Sequence, residues 1–261
     1  MDYNFHTHTF RCNHAKGTPE EYINRAIECG IKYMGFSEHF PFVCSDGHQA
    51  KYRLPLEQVG EYFEELYFLR SKYADKIDIK IGFEIEYYPK NFDTMLKNAY
   101  GYGAEYLLLG QHFLREELPD QIYVAFPNQN EEGLIRFASN IVDGIKTGVF
   151  TYVAHPDLYN YSDDIEVYRR EAFRICRASK EYNVPLEINF LGIRGGRSYP
   201  NQEFWKVAGE VKSPVTFGFD THDTYNAYDG ESLVKAMKMV EKYGLNYIGK
   251  PKMILLKDVM G

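Results

Sequence analysis

Two histidines separated by one residue, in His6-Thr7-His8, are the first residues of this chain that could do chemistry. On a strand, residues two apart point to the same face. Two imidazoles on one face make a bidentate grip on a first-row metal. Asp220 and His222, in Asp220-Thr221-His222, repeat that spacing far down the chain. Between the two pairs lie His14, His39, Glu84, His112 and His155, for nine candidate ligands in all. A catalytic zinc-like ion takes about three protein ligands plus water. The set is therefore too large for one ion and suits two or three, with Glu84 bridging. Seven of the chain's eight histidines belong to it. The eighth, His48 in Ser45-Asp46-Gly47-His48, reads as a loop residue at the mouth of the site.

The elements that must position these side chains alternate short β-type runs with longer helical ones. Strands are expected at Tyr3–Thr7, Tyr33–Ser37, Ile77–Tyr87, Tyr106–Leu109, Thr151–Ala154, Pro185–Asn189 and Pro214–Phe219. Helices are expected between them. The first starts at Thr18-Pro19-Glu20-Glu21, with Thr as N-cap, Pro at N1 and acids in the first turn. The others are Leu56–Tyr73, Asn91–Tyr100, Glu131–Lys146, Glu166–Tyr182, Gln202–Gly209 and Glu231–Tyr243. Alternation of this kind implies parallel strands with helical crossovers, hence an α/β fold. A closed barrel and a doubly wound sheet both satisfy it. The candidate ligands decide, because they fall at the C-terminal ends of at least six strands. Those ends converge on one face of a barrel, whereas in an open sheet they spread along an edge. The expectation is a distorted seven-stranded (β/α)7 barrel of the TIM type, with residues 1–261 as one domain and no linker.

Composition excludes several partners. Hydrophobic residues make up 44% and charged residues 26% of 261, as in an ordinary soluble enzyme. Net charge is −7, and no Lys/Arg run reaches the length of a nucleic-acid patch. No apolar stretch approaches a membrane span, so neither nucleic acid nor membrane is expected as a partner. Met1-Asp2-Tyr3-Asn4-Phe5 has no basic or apolar leader character. The four cysteines, Cys12, Cys29, Cys44 and Cys176, are scattered and form no C-x-x-C pair. Both features fit reduced thiols and a cytoplasmic location.

Taken as a set, these residues resemble the polymerase-and-histidinol-phosphatase (PHP) superfamily. The resemblance rests on His6-Thr7-His8, His14, Glu38-His39, Gly82-Phe83-Glu84-Ile85-Glu86, His112, Ala154-His155-Pro156-Asp157 and Asp220-Thr221-His222, in that order. Gly110-Gln111-His112-Phe113, the Ala-His-Pro-Asp-Leu run and Gly195-Gly196-Arg197-Ser198-Tyr199-Pro200 are similar to the histidinol-phosphate phosphatases within it. The resemblance implies three metal positions: one held by His6, His8, Glu84 and Asp220, a second by Glu84, His112 and His155, and a third by His14, His39 and His222. Zinc, iron and manganese all suit such mixed donors. Cys12 reads as a small buried residue.

The implied activity is a metal-dependent phosphoric monoester hydrolase. It would convert L-histidinol phosphate to L-histidinol and phosphate, a step of histidine biosynthesis, by attack of metal-bound hydroxide at a trinuclear centre. Glu84 and Asp220 would serve catalysis through the metals. A phosphate dianion also wants an arginine, and Arg194-Gly195-Gly196-Arg197 follows the sixth strand on the expected face. Arg197 is the leading phosphate ligand and Arg194 the second. Glu117, beside Glu116, is a candidate for the ammonium or imidazole of histidinol. The segment Leu158-Tyr159-Asn160-Tyr161-Ser162 lacks the basic residues that relatives often carry there. That departure leaves open a PHP phosphoesterase acting on another small phosphate ester.

Overall fold

The computed structural model describes residues 1–118 and 120–260. Its strands are β1 (Tyr3–Asn4), β2 (Tyr33–His39), β3 (Asp78–Ile85), β4 (Tyr106–Leu109), β5 (Phe150–Val153), β6 (Leu186–Asn189), β7 (Pro214–Gly218) and β8 (Asn246–Tyr247). They form one sheet in sequence order, every neighbouring pair parallel. Helices α1 (Pro19–Glu28), α2 (Val59–Lys72), α3 (Phe92–Tyr102), α4 (Glu131–Lys146) and α5 (Ile165–Tyr182) fill the first five crossovers in turn. After β6 come α6 (Phe190–Gly195) and α7 (Gln202–Val211), then α8 (Gly230–Tyr243) before β8 and α9 (Leu256–Met260) at the end.

Strand alternation sorts each strand between two cores. Leu107 and Leu109 pack in the main core, while Tyr106 and Leu108 join Tyr3, Phe5 and Tyr152 in a separate cluster inside the barrel. In the same way Ile81, Phe83 and Ile85 of β3 face the main core. That leaves Glu84 on the opposite, interior face. The sheet curls far enough for its first and seventh strands to meet. Beyond β1 and β7 a parallel bridge joins Thr7 to Thr221, through His8 N–H donating to Thr221 O at 3.1 Å and Thr221 N–H donating to His6 O at 3.3 Å.

Two expectations are corrected here. The strand count is eight, not seven: β8 is two residues long and lies at the opposite end from the Thr7–Thr221 bridge. So short a strand carries no alternation to detect. The first strand ends at Asn4, not Thr7. Asn4 interrupts it, its side chain accepting from His6 N–H at 3.2 Å and Phe219 N–H at 3.0 Å and donating to His6 O at 3.2 Å. The break lets Tyr3 and Phe5 and then His6 and His8 all face the interior, which an unbroken strand of period two would forbid.

Candidate metal centre

The C-terminal ends of the strands bring the candidate ligands together. His6 and His8 come just after β1, His39 ends β2, Glu84 lies on β3, and His112, His155 and the Asp220/His222 pair follow β4, β5 and β7. Glu84 stands in the middle. Its Oε1 lies 2.8 Å from His155 Nε2 and 3.5 Å from His112 Nε2. Its Oε2 lies 3.5 Å from His6 Nε2, 3.4 Å from His8 Nε2 and 3.2 Å from His39 Nδ1. Asp220 Oδ1 is 3.6 and 3.5 Å from the same nitrogens of His6 and His8. Space for Glu84 depends on Gly110, where a Cβ would stand 2.0 Å from Oε1. Two non-glycine residues of the set adopt left-handed backbone, His155 at φ 31° and Asp220 at φ 46°. Such strain persists only where the surroundings hold it.

These groups fit metal ions on three grounds. Among the described residues, His6 Nε2, His8 Nε2, His39 Nδ1, His222 Nε2, Glu84 Oε2 and Asp220 Oδ1 are buried without a hydrogen-bond partner. Buried polar atoms are rarely left so. Second, donors of one tetrahedral ion with bonds near 2.0–2.2 Å stand about 3.3–3.6 Å apart, which is the separation seen around Glu84 Oε2. Third, the electrostatics call for cations. Burial opposes ionisation of Glu84, but His112 and His6 hold its carboxyl well below the usual range. Asp220 behaves likewise, its burial outweighed by His6, His222 and His8. Burial disfavours charge on His6 too, yet Glu187, Asp220 and Glu84 hold it well above its ordinary value. Burial and the neighbouring His8 push His39 and His222 well down, leaving lone pairs free.

The outward nitrogens are anchored by carboxylates, of which only Glu86, sharing a face with Glu84 two residues away, reads in the sequence as a support or a ligand. His6 Nδ1 meets Glu187 Oε1 at 2.8 Å, His8 Nδ1 meets Glu38 Oε1 at 3.3 Å, and His112 Nδ1 meets Glu86 Oε1 at 2.9 Å. Such partners fix ring orientation and tune basicity at metal sites. Asn189 Nδ2 donates to Glu187 Oε2 at 2.8 Å and Asp220 Oδ2 at 3.0 Å. A signal for Glu187 and Asn189 was present: they are polar residues at alternate positions of an otherwise apolar strand.

The expected third set is only partly assembled. His14 and His222 rings lie 4.5 Å apart, but their donor atoms share reach with Cys12 Sγ. His39 turns Nδ1 to Glu84 and groups with His8 and His222 on one side and His112 on the other. Cys12 was assigned no role in the sequence, yet it lines the cleft with these histidines.

Above the cluster opens a cleft of about 820 Å³. Arg197 lines it, with Nη1 donating to Tyr199 Oη at 3.0 Å. Tyr52, Phe113, Tyr123 and Phe126 form an aromatic wall. Two expected substrate ligands are placed elsewhere. Arg194 donates to the carbonyls of Phe219 and Asp220 at 2.6 and 2.5 Å, so it braces the strained Asp220 backbone. Glu117 is buried in a bidentate pair with Arg53, Nε and Nη2 donating at 2.9 and 2.7 Å, and also accepts from Tyr88. Its charge is neutralised before any substrate arrives. His48 is exposed and lies apart from the residues lining the cleft.

A parallel barrel with a polynuclear His/carboxylate cluster at the strand C-termini defines a class of metal-dependent hydrolase-type sites. The PHP domain model matches residues 4–190, and the chain belongs to that family. A probable histidinol-phosphatase of Deinococcus radiodurans is 27% identical over 83% of this chain and 85% of its own length. The histidinol-phosphatase of Lactococcus lactis is 26% identical over 94% and 92%. A crystal structure of histidinol phosphate phosphatase from L. lactis, complexed with Zn, L-histidinol and phosphate, superposes with a TM-score of 0.71. It is 22% identical and covers 94% of this chain and 95% of that one.

Proposed function

We propose that this protein is a metal-dependent phosphatase that hydrolyses L-histidinol phosphate to L-histidinol and phosphate. The observation that carries the reading is Glu84, which offers its two oxygens to two sets of imidazoles beneath a cleft rimmed by Arg197. The names of the two curated relatives support the substrate. Two to three divalent zinc, iron or manganese ions suit the donors. His6, His8, Glu84 and Asp220 would hold one, and Glu84, His112 and His155 a second. His14 and His222, with His39 or Cys12, would hold a third. When bound, such ions activate water near neutral pH and stabilise charge on phosphoryl oxygens.

The chain's own residues supply the rest. Glu187, Glu38 and Glu86 keep their histidines turned inward, and Arg194 fixes the segment bearing Asp220. Arg197 binds the phosphoryl group by charge-assisted hydrogen bonds. The aromatic wall excludes water and receives the imidazole end of the substrate by stacking. A second reading, a small phosphate ester other than histidinol phosphate, draws on the loss of Glu117 to Arg53. Turnover of a panel of phosphate monoesters by zinc-, iron- and manganese-loaded protein decides. Histidinol phosphate should exceed p-nitrophenyl phosphate in kcat/KM by about 10²-fold or more. A different ester ahead of it would favour the second reading, and no turnover by any metal-loaded form would remove both.

A further inference from the structure

Arg53 lies outside every motif of the sequence, yet its side chain is wholly buried. It sits in the loop between β2 and α2, and all three of its guanidinium nitrogens donate inside the protein. Nε and Nη2 take both oxygens of Glu117, Nη2 also donates to Glu86 Oε2 at 2.6 Å, and Nη1 donates to Phe40 O at 2.8 Å. The other oxygen of Glu86 holds His112 Nδ1 at 2.9 Å. The far nitrogen of His112 faces Glu84 Oε1. A continuous line thus runs from Glu117 through Arg53 and Glu86 to His112 and the shared carboxylate.

The same residue ties two loops together. Lys51 and Tyr52, its neighbours in the β2–α2 loop, line the cleft. Phe113, Tyr123 and Phe126 line it from the segment after β4, the segment that carries Glu117. The Tyr52 and Phe113 rings stack at 6.0 Å, and the Arg53 guanidinium lies 5.1 Å over the Tyr52 ring. Glu86 and Glu117 are both buried carboxylates, and Arg53 is the cation between them. A planar fork that meets two carboxylates and a carbonyl at once is specific to arginine.

We propose that Arg53 is a positioning residue with two separable outputs. Through Glu86 it fixes the ring of His112 toward Glu84, and through Glu117 it holds the aromatic wall that receives the leaving group. The first output rests on the reading of His112 as a metal ligand.

Arg53→Met would strand two buried carboxylates and risks unfolding, so the test uses Arg53→Lys and Glu117→Gln. Lysine keeps the charge but cannot make the fork. Each protein is dialysed against graded chelator, its metal counted by elemental analysis, its fold checked by circular dichroism, and kcat and KM measured with histidinol phosphate. Folded Arg53→Lys should release its first metal at about 10-fold lower chelator, the low end of the effect of losing an outer support, and its KM should rise. Glu117→Gln should raise KM while its chelator midpoint stays within twofold of the parent. A folded Arg53→Lys with midpoint and KM both within twofold would overturn the proposal. So would a Glu117→Gln protein that loses metal as readily as Arg53→Lys, since the outputs would then not separate. If Arg53→Lys does not fold, Glu117→Gln with unchanged KM overturns it equally. A parent protein that binds no metal and turns over no phosphate ester would instead refute the underlying reading.

Discussion

The two ends of the barrel interior are built on opposite terms. At the end bearing β8, polar groups complete one another. Tyr3 Oη donates to Gly249 O at 2.8 Å and shares a bond with Thr216 Oγ1 at 2.9 Å, and Tyr106 Oη donates to Phe5 O at 2.8 Å. Tyr152 Oη is the exception there. At the other end, a few residues further along the same strands, seven nitrogen and oxygen atoms of the ligand cluster, among the described residues, are buried without a hydrogen-bond partner. Buried unpaired polar groups cost about 1–3 kcal/mol each. One end is therefore finished by the chain itself, and the donors of the other fit cations. Stability and function are divided along the barrel axis, and experiments on each end should return different signatures.

The largest effect is expected from Glu84→Gln. A neutral amide is a poor bridge, so both groups of imidazoles lose their shared anion. Activity should fall by about 10³-fold or more, with metal lost from two positions while the β8 end keeps the fold. Near-normal turnover with full occupancy by elemental analysis would refute the bridge. Arg197→Ala comes next. Removing a charge-assisted donor from the cleft should cost roughly 10²–10³-fold in kcat/KM. Metal content should hold, because arginine is no ligand, and lysine should rescue only in part. A loss under threefold for a phosphate monoester, at matched metal loading, would take Arg197 out of the site.

The contrast also separates what the sequence could disclose from what it could not. Ligands announce themselves by type: six histidines at strand ends, with His14 in the first loop, have few other uses, and their convergence pointed to a barrel. Groups that act through other groups leave no such mark. Glu187 and Glu38 are ordinary acids until the fold sets them against His6 and His8; Glu86 shares a face with Glu84 in the sequence, but nothing there pairs it with His112. Glu117 looked available because nothing in its neighbourhood hints at Arg53, 64 residues earlier. Arg194 and Arg197 are chemically equivalent on paper; only the turn at α6 aims one at backbone carbonyls and the other at the cleft. The strand break at Asn4 is likewise a tertiary event, made by a side chain that bonds to Phe219 N–H.

Metal removal should show the asymmetry as stability. Ions that bind only the folded chain at 100–1,000 times Kd stabilise it by about 3–4 kcal/mol, or roughly 5–15 °C in Tm for a chain of this size. Calorimetry with and without chelator measures it; an unchanged Tm would mean the cluster does not need cations. The gap should also depend on pH. Without metal, carboxylates hold His6 and His112 above their ordinary range. A raised histidine stabilises the folded state below its unfolded pKa, about 6.5, and that stability is lost as pH rises through the folded value. Metal must displace those protons, so its affinity rises with pH. The difference in Tm between loaded and metal-free protein should therefore widen as pH rises above about 6.5. His39 and His222, held neutral, influence both forms alike. A gap that narrows with rising pH would contradict the assignment of His6 and His112.

The smallest effect belongs to the other end. Tyr3→Phe removes one hydroxyl from the β8 end and leaves its ring in the interior cluster. Gly249 O keeps a donor, because Thr216 Oγ1 also reaches it at 3.0 Å. The cost should therefore lie near 1 kcal/mol, the lower part of the range for a lost buried bond, or about 2–4 °C in Tm. Metal stoichiometry and kcat/KM should stay within twofold of the parent, since the hydroxyl of Tyr3 bonds to Thr216, Tyr247, Phe217 N–H and Gly249 O and to no residue of the cluster. This makes the variant a mirror image of Glu84→Gln: a measurable loss of stability with an intact site, against a lost site with an intact fold. A Tyr3→Phe protein that kept its Tm but shed metal or dropped tenfold in turnover would show that the two ends are one mechanical unit, and the division along the barrel axis would have to be abandoned.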